Sequence, residues 1–324
     1  MKKPLIILTG PTAVGKTKAS IGLAKAVGGE IISADSMQVY KHMDIGTAKI
    51  RPEEMEGIPH YLIDELEPSE EFHVVRFQQM AKAAMAKIYE NGHIPIVTGG
   101  TGFYIQALLY DIDFTENDQD EAIRRRLADF AKERGLRALH ERLKAVDEKA
   151  AEAIHENNVK RVIRALEYFE KTGEKISEHN EKERAKASPY RTAYFVLNDK
   201  REHLYERINL RVDEMIKDGL IDEVRALKDK GYKASDTAMQ GLGYKEIFAY
   251  LNGTLSLEEA VYTIKRDTRH FAKRQIIWFK REKDVIWLDK SSCDYDEEKI
   301  LSTMLKHLEG VLCYEGDFSG NRSF

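Results

Sequence analysis

Eight residues near the N-terminus constrain this chain more than any other feature. Gly10-Pro11-Thr12-Ala13-Val14-Gly15-Lys16-Thr17 fits the pattern G-x-x-x-x-G-K-[S/T]. It follows the apolar run Pro4–Thr9, which predicts a short buried strand. It opens Lys16–Val27, where Ile21, Leu23, Ala24 and Val27 have helical spacing and Gly28-Gly29 stops the helix. Strand, glycine-rich turn and helix in that order are the context in which such an octapeptide binds phosphate. Gly10 and Gly15 let the backbone wrap so that amide N–H groups of the loop, those of Thr12, Ala13 and Val14 among them, converge on phosphate oxygens, with Pro11 stiffening the turn between them. The helix N-terminus adds partial positive charge. Lys16 supplies a full charge, and the Thr17 hydroxyl is placed for Mg2+. The loop recognises phosphates, not nucleosides, so the motif alone leaves the ligand open.

The remaining pattern extends this start into an α/β fold. Glu30–Ala34 reads as a second strand and His60–Leu66 as a weaker one. Val74–Tyr89 reads as a helix ended at Asn91-Gly92, and His93–Thr98 as a strand running into Gly99-Gly100. Such alternation predicts a parallel sheet with helices on both faces. After Asp113 the pattern changes, and residues 119–187 are almost all helix-forming. Ile123, Leu127, Phe130 and Ala131 make one apolar stripe, and Leu136, Leu139, Leu143 and Val146 a second. Val159, Val162, Ile163, Leu166 and Phe169 make a third. Strand signals resume at Arg191–Leu197 and Asp284–Leu288. The expected architecture is a P-loop-type parallel sheet interrupted by an all-helical insertion. Residues 1–115 and 191–310 form the core, 116–190 the insertion, and 311–324 a flexible, acidic tail.

Charge patterning adds a second theme. The chain of 324 residues has a formal net charge of −4, which by itself gives no hint of nucleic acid. Yet residues 264–283 carry 8 basic and 2 acidic side chains, and residues 121–190 carry 17 and 14. For the longer segment alone, solvated helix faces are the plainer explanation. The segment 264–283 interleaves its bases with Phe271, Trp278 and Phe279, as a surface for phosphates and stacked bases would. The two cysteines, Cys293 and Cys313, exclude a disulfide scaffold and a four-cysteine zinc site, and fit a reducing compartment. The apolar run after Lys2-Lys3 is too short for a signal peptide, and no stretch approaches a membrane span. A cytoplasmic protein with no membrane association is expected.

Two further strand ends carry chemistry. Asp35-Ser36-Met37-Gln38 lies at the C-terminal edge of a strand, where open α/β sheets keep their active sites. Thr98-Gly99-Gly100-Thr101-Gly102 is a second such edge, with glycines that permit close backbone approach. Asp35 is a candidate acid for Mg2+, as in a nucleotide kinase, and Thr101 a candidate N-cap. A guanine-reading N-K-x-D is absent.

These residues resemble the tRNA dimethylallyltransferases, also called tRNA isopentenyltransferases. The resemblance rests on GPTAVGKT (10–17), DSMQVYKHMDIGTAK (35–49), GGTGFY (99–104), RVIRALE (161–167), GLGYKE (241–246) and RQIIWFK (274–280). The motifs run in family order over residues 5–290. Departures are small: the family usually has Thr at Ile277 and Arg at Lys280. The zinc finger of eukaryotic relatives is not expected, so the form is of bacterial type.

The resemblance implies transfer of a dimethylallyl group from its diphosphate to N6 of adenosine-37 in tRNAs that read codons starting with U, with release of pyrophosphate. It implies Asp35 as general base and Thr101 beside the bridging oxygen. Ser36, Met37 and Gln38 would meet the adenine, and Arg211 would reach the diphosphate, with a surface i,i+4 partner as the alternative reading of Arg211. Mg2+ would neutralise the leaving group. Contacts to the tRNA anticodon stem-loop are implied for Arg124, Lys160, Arg161, Arg164, Gly241, Gly243, Lys245, Lys273, Arg274 and Gln275. A monomer is expected. Two other readings remain open on the residues alone. A P-loop kinase using ATP explains the loop and Asp35, but not the insertion or the basic segment. A non-catalytic RNA-binding protein explains the bases, but gives Asp35 and Thr101 no task.

Overall fold

The computed structural model describes residues 2–114 and 120–312. Six strands form one parallel sheet: β1 (Pro4–Thr9), β2 (Gly29–Ser33), β3 (His60–Tyr61), β4 (Ile94–Gly99), β5 (Arg191–Asn198) and β6 (Val285–Asp289). Their order is β3-β2-β4-β1-β5-β6. Around them run α1 (Lys16–Val27), α2 (Val74–Glu90) and α3 (Gly102–Leu109). After residue 190 come α9 (Arg201–Lys217), α10 (Leu220–Asp229), α11 (Tyr244–Leu251), α12 (Leu257–Phe279) and α13 (Glu297–Leu312). Between these groups lie α4 (Glu121–Arg134), α5 (Leu136–Val146), α6 (Glu148–Ala153), α7 (Val159–Thr172) and α8 (Ile176–Ala185). The chain divides into two compact units, Met1–Leu108 with Pro189–Phe324, and Leu109–Ser188.

The pleat explains why both faces of the sheet are covered. Ile6 pairs with Ile96 and Ala193, and Ile31 with Ile96, so these side chains share one face. That face packs on Leu23 and Ala24 of α1 and on Ile300, Met304 and Leu308 of α13. Leu5, Ile7, Ile32, Val97 and Val196 point the other way and are equally buried. Such two-sided burial is what a parallel sheet requires.

The strand expected at His60–Leu66 is only two residues long. Leu62 and Asp64 adopt φ of 63° and 54°, a left-handed backbone that ends pairing. Leu66 makes only an isolated bridge with Tyr40. Helix α13 was not expected from the sequence, and its last turn takes in Val311 and Leu312, the first two residues of the expected tail. The rest of that tail, 313–324, lies outside the described residues.

The second unit has its own core, built from Leu127 and Ala131 of α4, Leu139 and Leu143 of α5, and Val162, Ala165 and Leu166 of α7. Leu136, expected in the second stripe, is exposed instead. The Asp147 carboxylate caps α6 through the Ala150 N–H at 3.0 Å and accepts from the Ser177 hydroxyl at 2.7 Å, tying α6 to α8.

Met304 is fully buried against α1. Met304→Ala leaves a cavity there, and about 2–5 kcal/mol of stability should be lost. Urea unfolding followed by circular dichroism checks this.

Candidate active site

The loop between β1 and α1 alternates its backbone hand, with φ of 148° at Gly10, 64° at Ala13 and 99° at Gly15. At Gly10 a side chain is excluded by space as well, since a Cβ would collide with the Leu197 carbonyl oxygen. Lys16 folds back over the loop, and its Nζ donates to the carbonyls of Gly10 at 3.0 Å and Pro11 at 2.9 Å. Thr17 is exposed at the start of α1, whose first turn holds no acidic residue. The partial positive charge of that helix end is therefore not offset locally.

A cleft of about 490 Å³ opens here, and Thr12, Lys16, Thr17, Asp35, Gln38 and Gly99 all line it. Helix α9 contributes Arg207 and Arg211 to the same wall. The Arg207 Nε donates to the Ala13 carbonyl at 2.8 Å. Arg207 went unnoticed in the sequence; its spacing of four residues from Arg211 on a helix is the signal that points to it. Burial draws the Lys16 amine down to about 8, against the pull of Asp35 and with the push of Arg211. Burial also lowers Arg211, Arg207 adds to this, and Asp35 and Glu214 oppose it. Cations converge on this wall, and Asp35 is the carboxylate whose field reaches both Lys16 and Arg211.

Asp35 and Thr101 are brought together by backbone. The Ala34 N–H donates to the Thr98 carbonyl at 2.7 Å, and the Ala34 carbonyl accepts from the Thr101 N–H at 3.2 Å. Gly99 makes this approach possible, because a Cβ there would strike the Ala34 carbonyl. Asp35 is half-buried, and its Oδ1 accepts from the Met37 N–H at 2.9 Å, an Asx turn that fixes the side chain. Thr101 opens α3, its carbonyl accepting from the N–H groups of Tyr104 and Ile105.

Most of the 35–49 motif builds the loop that carries Asp35 and Gln38. The Gln38 amide donates to the carbonyls of Thr47 and Ala48, both at 3.3 Å, and accepts from the Ser33 hydroxyl at 3.2 Å. The buried Lys49 amine binds the Tyr40 carbonyl at 2.7 Å and the Asp44 carboxylate at 2.6 Å. Glu223 of α10 accepts the successive N–H groups of Asp44, Ile45 and Gly46 at 2.9, 2.8 and 3.2 Å. Its Oε1 also accepts the Tyr244 hydroxyl at 2.6 Å. Ser36 and Met37 are half-buried, and the Met37 thioether lies over Gly241. Gly243 caps α11, its N–H bound to Glu246 Oε2 at 2.9 Å, while Lys245 pairs with the other oxygen of Glu246 at 3.4 Å.

Helix α12 reaches the site through Gln275, which is buried. Its Oε1 accepts the Thr12 N–H at 2.9 Å, and its Nε2 donates to the Gly100 carbonyl at 3.0 Å. Lys273 and Arg274 are exposed on the same helix. In the second unit, Lys160, Arg161 and Arg164 are exposed on α7, opposite buried Val162, Ala165 and Leu166. Arg124 Nε is engaged there by buried Glu167 at 2.8 Å.

The IPP transferase family matches residues 38–282. The chain is 64% identical to the tRNA dimethylallyltransferase of Lachnoclostridium phytofermentans over 94% of its own length and 97% of the relative's. It is 51% identical to that of Acetivibrio thermocellus, covering 97% and 99%. Its fold matches the full-length tRNA isopentenylpyrophosphate transferase of Bacillus halodurans, with a TM-score of 0.71, 44% identity and coverage of 96% and 98%. It also matches a eukaryotic dimethylallyltransferase acting on tRNA, with a TM-score of 0.76, 31% identity and coverage of 96% and 76%.

An anion bound beside Lys16 favours the charged amine, so binding and protonation are linked. With the amine at about 8 in the free protein, affinity for inorganic pyrophosphate should hold below pH 7 and decline above 8. Lys16→Arg keeps its charge and should lack this decline. Calorimetric titration of both proteins between pH 6.5 and 9, corrected for pyrophosphate's own ionisation, makes the comparison.

Proposed function

Because the chain belongs to the tRNA dimethylallyltransferase family, we propose that its cleft joins dimethylallyl diphosphate, held at the phosphate loop, to an adenine of tRNA presented at the Asp35–Thr101 edge. The observation that carries this reading is one cleft lined by both the cationic loop and the carboxylate of Asp35. A diphosphate needs the first, and a weakly nucleophilic amine needs the second. An amino group conjugated to a purine ring must lose a proton as its new bond forms. N6 attacks the first carbon of the dimethylallyl group, the carbon–oxygen bond to the diphosphate breaks, and Asp35 accepts the N6 proton. Pyrophosphate leaves with the bonding electrons, and Lys16, Arg207 and Arg211 stabilise its charge. Thr101 stands beside the bridging oxygen.

The donor set suits Mg2+. The exposed Thr17 hydroxyl offers a hard oxygen on the cleft beside the phosphate loop, and Mg2+ keeps most of its remaining positions for water and substrate phosphates. Thr17 would hold it, and it would supply charge neutralisation at the diphosphate.

The target in this reading is adenosine-37, beside the anticodon of tRNAs that read codons starting with U. A stacked base cannot enter such a crevice unless it is flipped out. Ser36, Met37 and Gln38, with Gly241, Gly243 and Lys245, lie on the side we assign to that base. Lys273 and Arg274 on α12, and Arg124, Lys160, Arg161 and Arg164 in the helical unit, are assigned to the anticodon arm, whereas Gln275, buried on the same helix, is bonded to the two loops of the crevice instead. The protein acts as a cytoplasmic monomer in this reading. Among the described residues no helix is long and apolar enough to cross a membrane.

Incubation with labelled dimethylallyl diphosphate and unmodified tRNA should place the label on N6 of adenosine-37, with ATP left intact. ATP hydrolysis coupled to phosphorylation of a nucleoside, with no label on RNA, would replace this reading by a kinase. In Asp35→Asn, kcat should fall about 10²–10⁴-fold with donor affinity little changed. Weakened donor binding restored by excess Mg2+ would make Asp35 a metal ligand instead.

Reversing Lys160, Arg161 and Arg164 to Glu should raise the KM for tRNA far more than that for the donor. The logarithm of RNA affinity should fall with that of salt, by about 0.7–0.9 per phosphate contacted. Salt titrations of wild type and the triple variant measure both.

A further inference from the structure

Gln275 is the one residue of α12 whose side chain bonds to both sides of the crevice at once. It accepts from the Thr12 N–H of the phosphate loop and donates to the Gly100 carbonyl of the loop after β4. Both partners are backbone groups, and they lie 263 and 175 residues away in sequence. The strand ends beneath the two loops are tied separately, the Thr9 hydroxyl donating to the Gly99 carbonyl at 2.6 Å, and the Gln275 amide joins the loops beyond that point. A second contact from the same helix lies three residues on, at Trp278. A Cβ at Gly102 would collide with the Trp278 indole, and one at Gly100 with Gln275 Nε2. Thr101 therefore sits between two glycines, each pressed against α12.

From this geometry we infer that Gln275 is a positioning residue for transfer: it sets the spacing between the phosphate loop and the Thr101 edge, and so between diphosphate and acceptor amine. The inference rests on the proposed reaction and deepens it. A buried amide with both ends engaged by backbone is a spacer of fixed length, and both loops follow it. Errors of about 1 Å in such spacing cost about 10²-fold in rate. The chemistry of the amide is specific. A carboxylate in its place still accepts from Thr12 but faces the Gly100 carbonyl without a proton to donate. A protonated carboxyl does both. Because the bridge runs from α12, it also makes the basic helix and the phosphate loop one mechanical unit.

The test compares wild type with Gln275→Glu and Gln275→Met by steady-state kinetics, with thermal unfolding and amide hydrogen exchange on the same proteins. Both variants should keep a wild-type tRNA KM within about threefold and lose about 10- to 100-fold in kcat at pH 8. In Gln275→Glu alone, the ratio of variant to wild-type kcat should rise as the pH falls and the carboxyl regains its proton. Residues 10–17 and 99–103 should exchange faster in Gln275→Met. A raised tRNA KM with normal kcat would make Gln275 an RNA contact and overturn the inference. A lowered melting temperature with normal kcat and no pH-dependent recovery would make it merely structural, and would also overturn it. Should wild type transfer no dimethylallyl group, the proposed reaction fails by itself. The exchange measurement then still decides whether Gln275 couples the two loops, and unchanged exchange in Gln275→Met overturns the coupling.

Discussion

A parallel sheet delivers every strand's C-terminal end to one edge, and the cleft depends on that constraint. Thr9 pairs with Gly99, and Ser33 with Thr98, so the phosphate loop, the Asp35 segment and the Gly99–Thr101 turn leave the sheet at one level. The strand order adds the opening. From β1 the chain crosses to β2 on one side, and from β4 it crosses to β5 on the other. Each crossover passes the strand from which the other starts, so the adjacent strands β1 and β4 send their loops in opposite directions at the edge where the cleft lies. The apolar side chains on both faces hold this register, because a slip of one residue would move every side chain of the strand to the opposite face, whose packing fits a different set.

Electrostatics then decides what the gap can hold. Lys16, Arg207 and Arg211 approach the loop, and the N-terminus of α1 adds to them. A net charge of −4 over the whole chain does not weaken this field, which acts over a few ångströms in partly buried surroundings. Burial is the main reason Lys16 holds its proton less tightly than a free amine, and the nearby Arg211 adds to it. Asp35 lines the same cleft and presents a carboxylate oxygen to an incoming amine.

The loops are held by polar side chains that replace water on backbone groups. Glu223 collects three consecutive amides, Lys49 ties a carbonyl to a carboxylate, Gln38 spans two carbonyls, and Gln275 bridges two loops. Each pays for burying the backbone of an irregular segment and leaves it with one arrangement. This is why a fifteen-residue motif that looks like a ligand site from end to end contains so much internal scaffolding. Its Asp35, Gln38, Thr47 and Ala48 line the cleft, whereas Asp44, Gly46 and Lys49 hold the segment in shape.

The sequence by itself determined those features whose physics is local. The strand–loop–helix at residues 4–27, the glycines at Gly10 and Gly15, the buried strands and the apolar stripes of α4, α5 and α7 all follow from periodicity and backbone freedom. Asp35, Thr101, Lys16 and Thr17 were legible as strand-end and helix-start residues for the same reason. The short β3 was not, because residues 60–66 carry strand-like side chains, and the backbone turn at Leu62 and Asp64 leaves no periodic trace. Only the tertiary structure decided that Arg207 joins Arg211 in the cleft, that Glu223 gathers the 44–46 amides, and that Gln275 bridges Thr12 and Gly100. Each rests on polar contacts between segments far apart in the chain, Arg207 to Ala13 included, and sequence spacing does not give the partner of such a contact. It exists only once the sheet has brought its partners to one edge.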